Sequence, residues 1–242
     1  MRKLIALFFF LPVLHACFGQ TQDKVEWGEK FNSAGATLLL KETGRIRANN
    51  QTVVTYSLIA AGLPKNVEYT LWTRLPGGSP QAVADALINK DGLVVSVLAD
   101  AGKNIVEDPI NLKVVAGRGE PKQFGLIAND ADYRAFGQAV PFPIENTAGP
   151  CRISATMMAR NYSAILIVIT GLQANEDLQI EQRSGSEGGQ GKASAGADGT
   201  YQTLIFPAVK GQASGKQRFS ATAKSCNVAL ETPWGEGSYV IQ

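Results

Sequence analysis

The sequence predicts an all-β protein made of two tandem β-sandwich domains, and three observations support this prediction. Short apolar runs recur along the chain, and several alternate apolar with polar residues, as strands with one buried face do. Gly, Asn, Asp and Pro separate the runs, and no window shows a persuasive helical stripe. A stretch of the first half is repeated in the second half, which indicates two copies of one architecture.

The repeat consists of residues 54–71 (VTYSLIAAGLPKNVEYTL) and residues 166–180 (LIVITGLQANEDLQI). Each copy has an apolar run, then Gly-Leu, a polar turn that contains Asn, and a second alternating run. An Asp-Gly turn follows each copy, and each half ends in a Pro-aromatic pair. The turns are Asp91-Gly92 and Asp198-Gly199, and the pairs are Pro141-Phe142 and Pro233-Trp234. We expect both aromatic residues to serve the same packing role.

About seven short strands per hundred residues are typical of an immunoglobulin-type sandwich, which buries two sheet faces against each other. The predicted strands of the first half are 37–40, 53–59, 69–72, 93–98, 112–115, 124–127 and 135–140. Those of the second half are 153–157, 165–169, 178–180, 201–206, 219–222 and 228–230. Trp72 lies in an alternating strand and is expected in the core. Residues 80–89 would form one short helix at most.

The turns place the first domain at residues 31–146, a linker at 147–150 and the second domain at 151–242. A linker this short predicts that the two domains touch or that their relative motion is restricted. Residues 184–199 (SGSEGGQGKASAGADG) lack the spacing of a phosphate-binding loop. Because the segment is rich in Gly and Ser, it is predicted to be a mobile loop between strands.

The first 20 residues have the features of a secretory signal peptide. Arg2 and Lys3 precede an apolar run over residues 4–14, which is too short to span a bilayer as a helix. Residues 14–17 are similar to a bacterial lipobox, which would place a lipid anchor on Cys17, whereas ordinary cleavage after Gly19 would release the protein. No other stretch approaches membrane-spanning length. The chain is therefore expected outside the cytoplasm, secreted or periplasmic.

Residues 21–30 are predicted to form a loosely held N-terminal arm. Its Trp27 is the candidate for an exposed contact with a sugar or a protein partner, since indole offers both an apolar face and a polar N–H.

Two cysteines, Cys151 and Cys226, lie 75 residues apart in the predicted exported part of the chain. An even pair in an oxidising compartment predicts a disulfide, and a redox pair would more often be spaced as Cys-x-x-Cys. Closing such a loop stabilises a protein by at most about 4–5 kcal/mol in the chain-entropy account.

The composition argues against several classes of function. The only histidine, His15, lies in the predicted signal peptide, so the exported chain would contain no histidine, the commonest general base. Catalysis by a Ser-His-Asp triad or a Cys-His pair would then be impossible. Removal of Arg2 and Lys3 would leave 21 basic against 21 acidic residues, with no basic excess for nucleic acid. Residues 129–132 carry Asn and Asp but fit a turn better than a Ca²⁺ loop. No cofactor, no metal and no catalytic residue are predicted.

The stretch 62–71 (GLPKNVEYTL) resembles a turn of bacterial extracellular immunoglobulin-like modules. Residues 90–93 and 197–201 are similar to the strand start that follows that turn in those modules. In the second copy, Gln173 and Ala174 replace the proline of the turn. The resemblance implies surface or periplasmic binding and spacer roles, and it transfers no catalytic residue.

We therefore expect a non-catalytic envelope protein with a structural, adhesive or protein-binding role, whose partner is an envelope or surface protein or a polysaccharide. A carbohydrate-binding module is the first alternative, and an exposed row of Trp72, Trp27 and Tyr69 would favour it. A carboxylate-based hydrolase is the second, and it would need two facing acids. The candidate acids are Glu26, Glu29, Glu42, Glu107, Asp108, Asp130 and Asp132.

Overall fold

The structure is a computed structural model that describes residues 27–99 and 105–242. The predicted signal peptide, including Cys17, and residues 21–26 of the arm lie outside the described residues. The strands are β1 Thr37–Ala48, β2 Gln51–Ala61, β3 Tyr69–Arg74, β4 Gln81–Ile88, β5 Val94–Ala99, β6 Ile105–Pro109, β7 Asn111–Val114, β8 Lys122–Ala128, β9 Arg134–Ala139, β10 Ile144–Ala148, β11 Cys151–Met157, β12 Ile165–Thr170, β13 Asp177–Ser184, β14 Glu187–Ser194, β15 Tyr201–Ile205, β16 Ser214–Ala223 and β17 Asn227–Gly235. Two 3₁₀ turns are Glu29–Phe31 and Arg160–Tyr162.

The described strands form four antiparallel sheets, which pack in pairs. In the first sandwich, the sheet β1-β2-β7 faces the sheet β6-β5-β4-β3-β8-β9, and one buried cluster lies between them. In the second, β10-β11-β12-β15 faces β14-β13-β16-β17 around a second cluster. The protein is thus all-β, with two tandem immunoglobulin-like sandwiches, as the sequence predicts.

The sequence repeat corresponds to the passage of the chain from one sheet to the other. Residues 54–71 run from β2 to β3, and residues 166–180 run from β12 to β13. The glycine of each Gly-Leu pair has a positive φ, +72° at Gly62 and +82° at Gly171. A Cβ at either position would collide with backbone, that of Gly35 or that of Pro150. Both copies therefore require glycine for the same close approach to the chain before the first long strand.

The alternation of apolar and polar residues along the strands predicts which side chains are buried, with one exception. Tyr69 and Leu71 on β3 are fully buried between the sheets. Trp72, predicted in the core, lies half-buried on the outer face of the same strand. Adjacent strand residues point to opposite faces, so Trp72 cannot share the inner face with Leu71. At the matching ends of the two sandwiches, Phe142 packs against the first core and Trp234 is buried in the second.

Two predicted segments adopt a different local structure. Residues 80–89 contain a strand, β4, in which Ala86 and Ile88 are buried while Asp85 is exposed, a period of two that does not suit a helix. The Gly-rich segment predicted as a mobile loop contains β14, which is paired with β13 along its whole length. Only Gly185 and Ser186 turn between these two strands.

The passage between the sandwiches also differs in detail from the predicted one. Residues 144–148, assigned from sequence to the end of the first domain and the start of the linker, form β10. This strand pairs with β11 and so belongs to a sheet of the second sandwich. The bounds 31–146, 147–150 and 151–242 remain predictions for the limits of independently folding units.

Cys151 and Cys226 form a disulfide in the structure. Cys151 opens β11, and Cys226 lies in the turn between β16 and β17, so the bridge connects the two sheets of the second sandwich. Cys151 is fully buried.

Candidate binding site

Trp27 lies on the outer face of the six-stranded sheet, where it covers Phe136. The two ring centroids are 4.9 Å apart and the rings are tilted by 56°. In the register of the sheet, Trp72, Gly125 and Phe136 form one row across β3, β8 and β9. A Cβ at Gly125 would lie 2.6 Å from the Phe136 ring, so glycine makes room for the aromatic rings. Phe136 is only 2 % exposed although it belongs to neither core cluster, which shows how closely this outer face is covered.

The segment that carries Trp27 is fixed to the free edge of β9. The Asn32 side-chain oxygen accepts a hydrogen bond of 2.7 Å from the Phe136 N–H, and the Asn32 amide donates to the Phe136 carbonyl. Ser33 binds Arg134 in the same way, because its hydroxyl accepts the Arg134 N–H at 2.9 Å and its N–H donates to the Arg134 carbonyl. Side chains thus occupy backbone groups that an edge strand leaves open. These contacts come directly after the predicted arm, residues 21–30, of which the structure describes 27–30.

A groove of about 480 Å³ lies beside Trp27, and both sandwiches line it. Its wall from the first sandwich includes Phe136 with the amides of Gln123 and Gln138, and its wall from the second includes Leu166 and Gln202. Glu29 and Lys30 add one charge of each sign. The groove therefore combines aromatic surface and neutral hydrogen-bonding groups without a net charge.

The apolar surface extends from the groove along the edge strand β15. Leu204 pairs with Leu166 across β12 and β15, and its side chain is 47 % exposed. Phe206, directly after β15, is 66 % exposed but belongs to a separate cavity that β13 and β14 residues such as Ile180 and Gly189 line. The exposed apolar side chain next to the groove is therefore that of Leu204.

The two patterns that would have favoured the alternative functions can be checked in the described residues. Tyr69 is completely buried, so the exposed row of Trp72, Trp27 and Tyr69 does not exist, although the two tryptophans share an outer sheet face. The buried acids among the described residues are Glu120 and Glu176, neither of which the sequence singled out. They have no hydrogen-bond partner in common. The described chain contains no group of three or more His, Cys, Asp or Glu side chains that could hold a metal.

Glu120 is a charged residue buried where the two sandwiches meet. One carboxylate oxygen accepts hydrogen bonds from the Gly117 N–H at 2.8 Å and from the Tyr239 hydroxyl at 2.6 Å, and the other binds Lys122 Nζ at 2.7 Å. Burial, together with the hydrogen bond to the Glu120 carboxylate, raises the pKa of Tyr239 above its ordinary value. The sequence gives no sign of this cluster, since Tyr239 and Glu120 are 119 residues apart.

Backbone contacts join the sandwiches around Glu120. The Tyr162 hydroxyl donates to the Arg118 carbonyl at 2.5 Å, and the Met157 N–H donates to the Gly119 carbonyl at 2.7 Å. Ile241 forms a bridge with Gly117. The second sandwich and the segment that follows it thus contact residues 117–120 from several directions.

Within the described residues, no helix has the length and apolar character that crossing a membrane requires. No protein-family model matches the chain, and no curated protein sequence matches it. Among solved structures, the chain is similar to the crystal structure of a tetra-tandem repeat in the extending region of a large adhesion protein, with 17 % identity and a TM-score of 0.25. The match covers 82 % of this chain and 48 % of that one, so this chain spans about half of its length.

Proposed function

We propose that the chain is an exported, non-catalytic envelope protein that binds another envelope or surface protein through the Trp27 groove. The observation that supports this proposal best is that both sandwiches line the groove. The shape of the site therefore depends on the fixed arrangement of the two domains. A structural or adhesive role fits such a site, because a partner would contact both domains at once.

The surroundings of the groove favour a protein partner. The exposed side chain of Leu204, which is paired with the groove residue Leu166, extends the apolar area beyond the groove itself. Aromatic and apolar residues in the centre with polar residues at the rim are typical of protein interfaces. Trp27, anchored by Phe136, would bring a rigid ring to the contact at a small cost in conformational entropy.

Polysaccharide is the second candidate ligand, and a different feature of the same groove favours it. The half-buried Trp27 ring lies near the amides of Gln123, Gln138 and Gln202. Amides can both donate and accept hydrogen bonds from sugar hydroxyls, while indole packs against the apolar face of a sugar ring. The exposed Leu204 side chain on β15 would have no evident role in that case.

Binding measurements with matched variants would test the proposal. The exported chain, immobilised, is exposed to envelope extract and separately to purified envelope polysaccharide, and each bound species is then titrated. We expect Trp27→Ala and Leu204→Ser to weaken binding of a protein partner at least about tenfold, since one removes the aromatic contact in the groove and the other the exposed apolar contact beside it. Ile46→Ser, which changes a 68 % exposed residue on β1, is the control and should change nothing.

The outcomes separate the two ligands. Loss of polysaccharide binding in Trp27→Ala with no change in Leu204→Ser would favour the second candidate. Binding that neither substitution alters would contradict any role for the groove.

We also propose that the protein works outside the cytoplasm after removal of residues 1–20. An oxidising compartment is where a structural disulfide such as Cys151–Cys226 persists. Cys17→Ser is expected to leave the protein exported and soluble, as judged by fractionation of cells. Loss of membrane association in this variant would instead establish lipid attachment at Cys17.

A further inference from the structure

A cavity of about 450 Å³ lies at the junction of the sandwiches, on the side of Glu120. It is distinct from the Trp27 groove, since the two share no lining residue. The residues that line it are Leu75, Pro76, Val115, Glu120, Lys122, Met157, Arg160, Asn161 and Tyr239. Apolar walls with a few convergent polar groups are the usual composition of a small-molecule site.

The lining of this cavity carries more positive than negative charge. Lys122 is paired with Glu120, and both oxygens of Glu120 are already occupied by donors of the protein. Arg160 is exposed and forms no ion pair with any described residue. One positive charge in the lining is thus uncompensated, and Lys122 retains donors beyond the one that binds Glu120.

The turn that carries Arg160 is held in an uncommon backbone conformation. Asn161 and Tyr162 have φ values of +53° and +54°, in the left-handed region that residues other than glycine rarely adopt. Contacts keep the turn in place, since Tyr162 is buried with its hydroxyl on the Arg118 carbonyl, and the Ser163 N–H donates to the Arg160 carbonyl at 3.1 Å. Such conformations persist only where their surroundings enforce them. The surroundings here keep Arg160 at the cavity.

We propose that this cavity binds a small organic acid, a carboxylate attached to an apolar body. The carboxylate would pair with the Arg160 guanidinium, whose planar fork matches the two oxygens. The apolar body would lie against Leu75, Val115 and Met157. This site is independent of the proposed function, because a ligand here leaves the Trp27 groove free.

Methionine methyl signals provide a direct test. The exported chain contains two methionines, Met157 and Met158, of which Met157 lines the cavity and Met158 does not. The protein labelled with ¹³C-methyl methionine is titrated with 4-phenylbutyrate and with the matched neutral alcohol 4-phenylbutanol. We expect the acid to shift the Met157 signal much more than that of Met158, and to bind at least tenfold more tightly than the alcohol at low salt.

Substitutions of Arg160 test whether its positive charge binds the acid. Arg160→Gln is expected to reduce the affinity for the acid to that for the alcohol, and Arg160→Lys to retain part of the difference. Arg183→Gln, an exposed arginine outside the cavity, should leave the affinity for the acid unchanged. The proposal is overturned if neither compound shifts Met157, if acid and alcohol bind equally, or if Arg160→Gln binds the acid as the parent does.

Discussion

The Tyr239 hydroxyl donates a hydrogen bond of 2.6 Å to the Glu120 carboxylate, and this contact joins the end of the chain to the first sandwich. Glu120 is 3 % exposed, and its third donor, Lys122, is also largely buried. A buried carboxylate is tolerated only when its partners are in place. Because Tyr239 reaches Glu120 only when the sandwiches are docked, separation of the domains would leave a desolvated charge without one of its donors.

Tyr239→Phe is therefore expected to destabilise the protein. Hydrogen bonds to charged groups contribute about 1.5–3 kcal/mol, and removal of the hydroxyl leaves the ring packing in place. Urea unfolding of the exported chain at neutral pH would measure the loss. Tyr133→Phe is the control, since no described residue is hydrogen-bonded to that hydroxyl and the side chain is 42 % exposed. Equal stability of the two variants would mean that the Glu120–Tyr239 contact does not contribute.

The pKa of Tyr239 predicts how this contribution depends on pH. Burial and Glu120 raise its pKa in the folded protein, whereas an unfolded tyrosine ionises near about 10. The stabilisation is thus complete below about pH 10 and is lost as the pH rises above it, because only the unfolded chain then releases the proton. The difference in unfolding free energy between the parent and Tyr239→Phe should start to shrink at about pH 10 and go on shrinking until the pH passes the raised pKa of the folded protein. The raised pKa values of Tyr56 and Tyr69, neither of which is among the causes of the Tyr239 shift, affect both proteins alike.

The course of the chain between the sheets could be predicted from sequence because its signals are local. Alternation places Tyr69 and Leu71 on the inner face, and a Gly-Leu step recurs at Gly62 and Gly171, where the backbone needs a positive φ. The strand β14 gives no such signal. Its positions opposite Ile180 and Gln182 are Gly191 and Gly189, and its only apolar side chain is the methyl group of Ala193, so this edge strand resembles a loop in sequence.

Only part of the candidate sites could be predicted from the sequence. Trp27 could be selected because a large aromatic residue outside the predicted strands requires an explanation. The partners Phe136 and Gln202 could not be predicted, since they come from separate strands in different sandwiches. The same is true of Glu120, one acid among 21, whose burial depends on a tyrosine 119 residues away.

Protonation of Glu176 is expected to account for part of the loss of stability in acid. Its carboxylate accepts hydrogen bonds from the Ser225 hydroxyl at 2.7 Å, the Ser225 N–H at 2.6 Å and the Gln173 N–H at 2.8 Å. These donors, the Ser225 hydroxyl first, lower its pKa below the ordinary value. The stabilisation is therefore present above the unfolded pKa of about 4.3 and is lost as the pH falls through the lower folded value.

Glu176→Gln should lower the urea midpoint at pH 7, and the difference from the parent should narrow towards pH 3. Glu187→Gln serves as the control, because Glu187 is exposed on the edge strand β14. A constant difference across the whole pH range would show that the charge of Glu176 is not involved.

The Cys151–Cys226 disulfide closes a loop of 75 residues. Replacing both cysteines with alanine should cost about 2–4 kcal/mol, mainly because the unfolded chain gains freedom. Urea unfolding of the double variant would measure this cost, with the reduced parent as a second measure of the same change. In the exported parent protein, thiol titration after unfolding should detect no free thiol. Two titratable thiols would refute the bridge.

Gly62→Ala and Gly171→Ala test whether the repeat marks the same structural need in both sandwiches. Each substitution combines a left-handed φ with a Cβ that would collide with backbone, which cannot move aside as a side chain can. We expect a loss of at least about 3 kcal/mol at either position. Gly211→Ala separates the two effects, because Gly211 has a φ of +81° and open space around it. Its cost should be about 1–2 kcal/mol, from the backbone conformation alone.

Hydrogen exchange would locate each effect. Gly62→Ala should reduce protection in β2 and β3, and Gly171→Ala in β12 and β13, since each glycine joins the two sheets of its own sandwich. If both substitutions cost no more than Gly211→Ala, the close approach of the chain at Gly35 and Pro150 would not be what the repeated glycine serves. If only one of the two substitutions lowers the stability more than Gly211→Ala does, the Gly-Leu step would not serve the same packing requirement in both sandwiches.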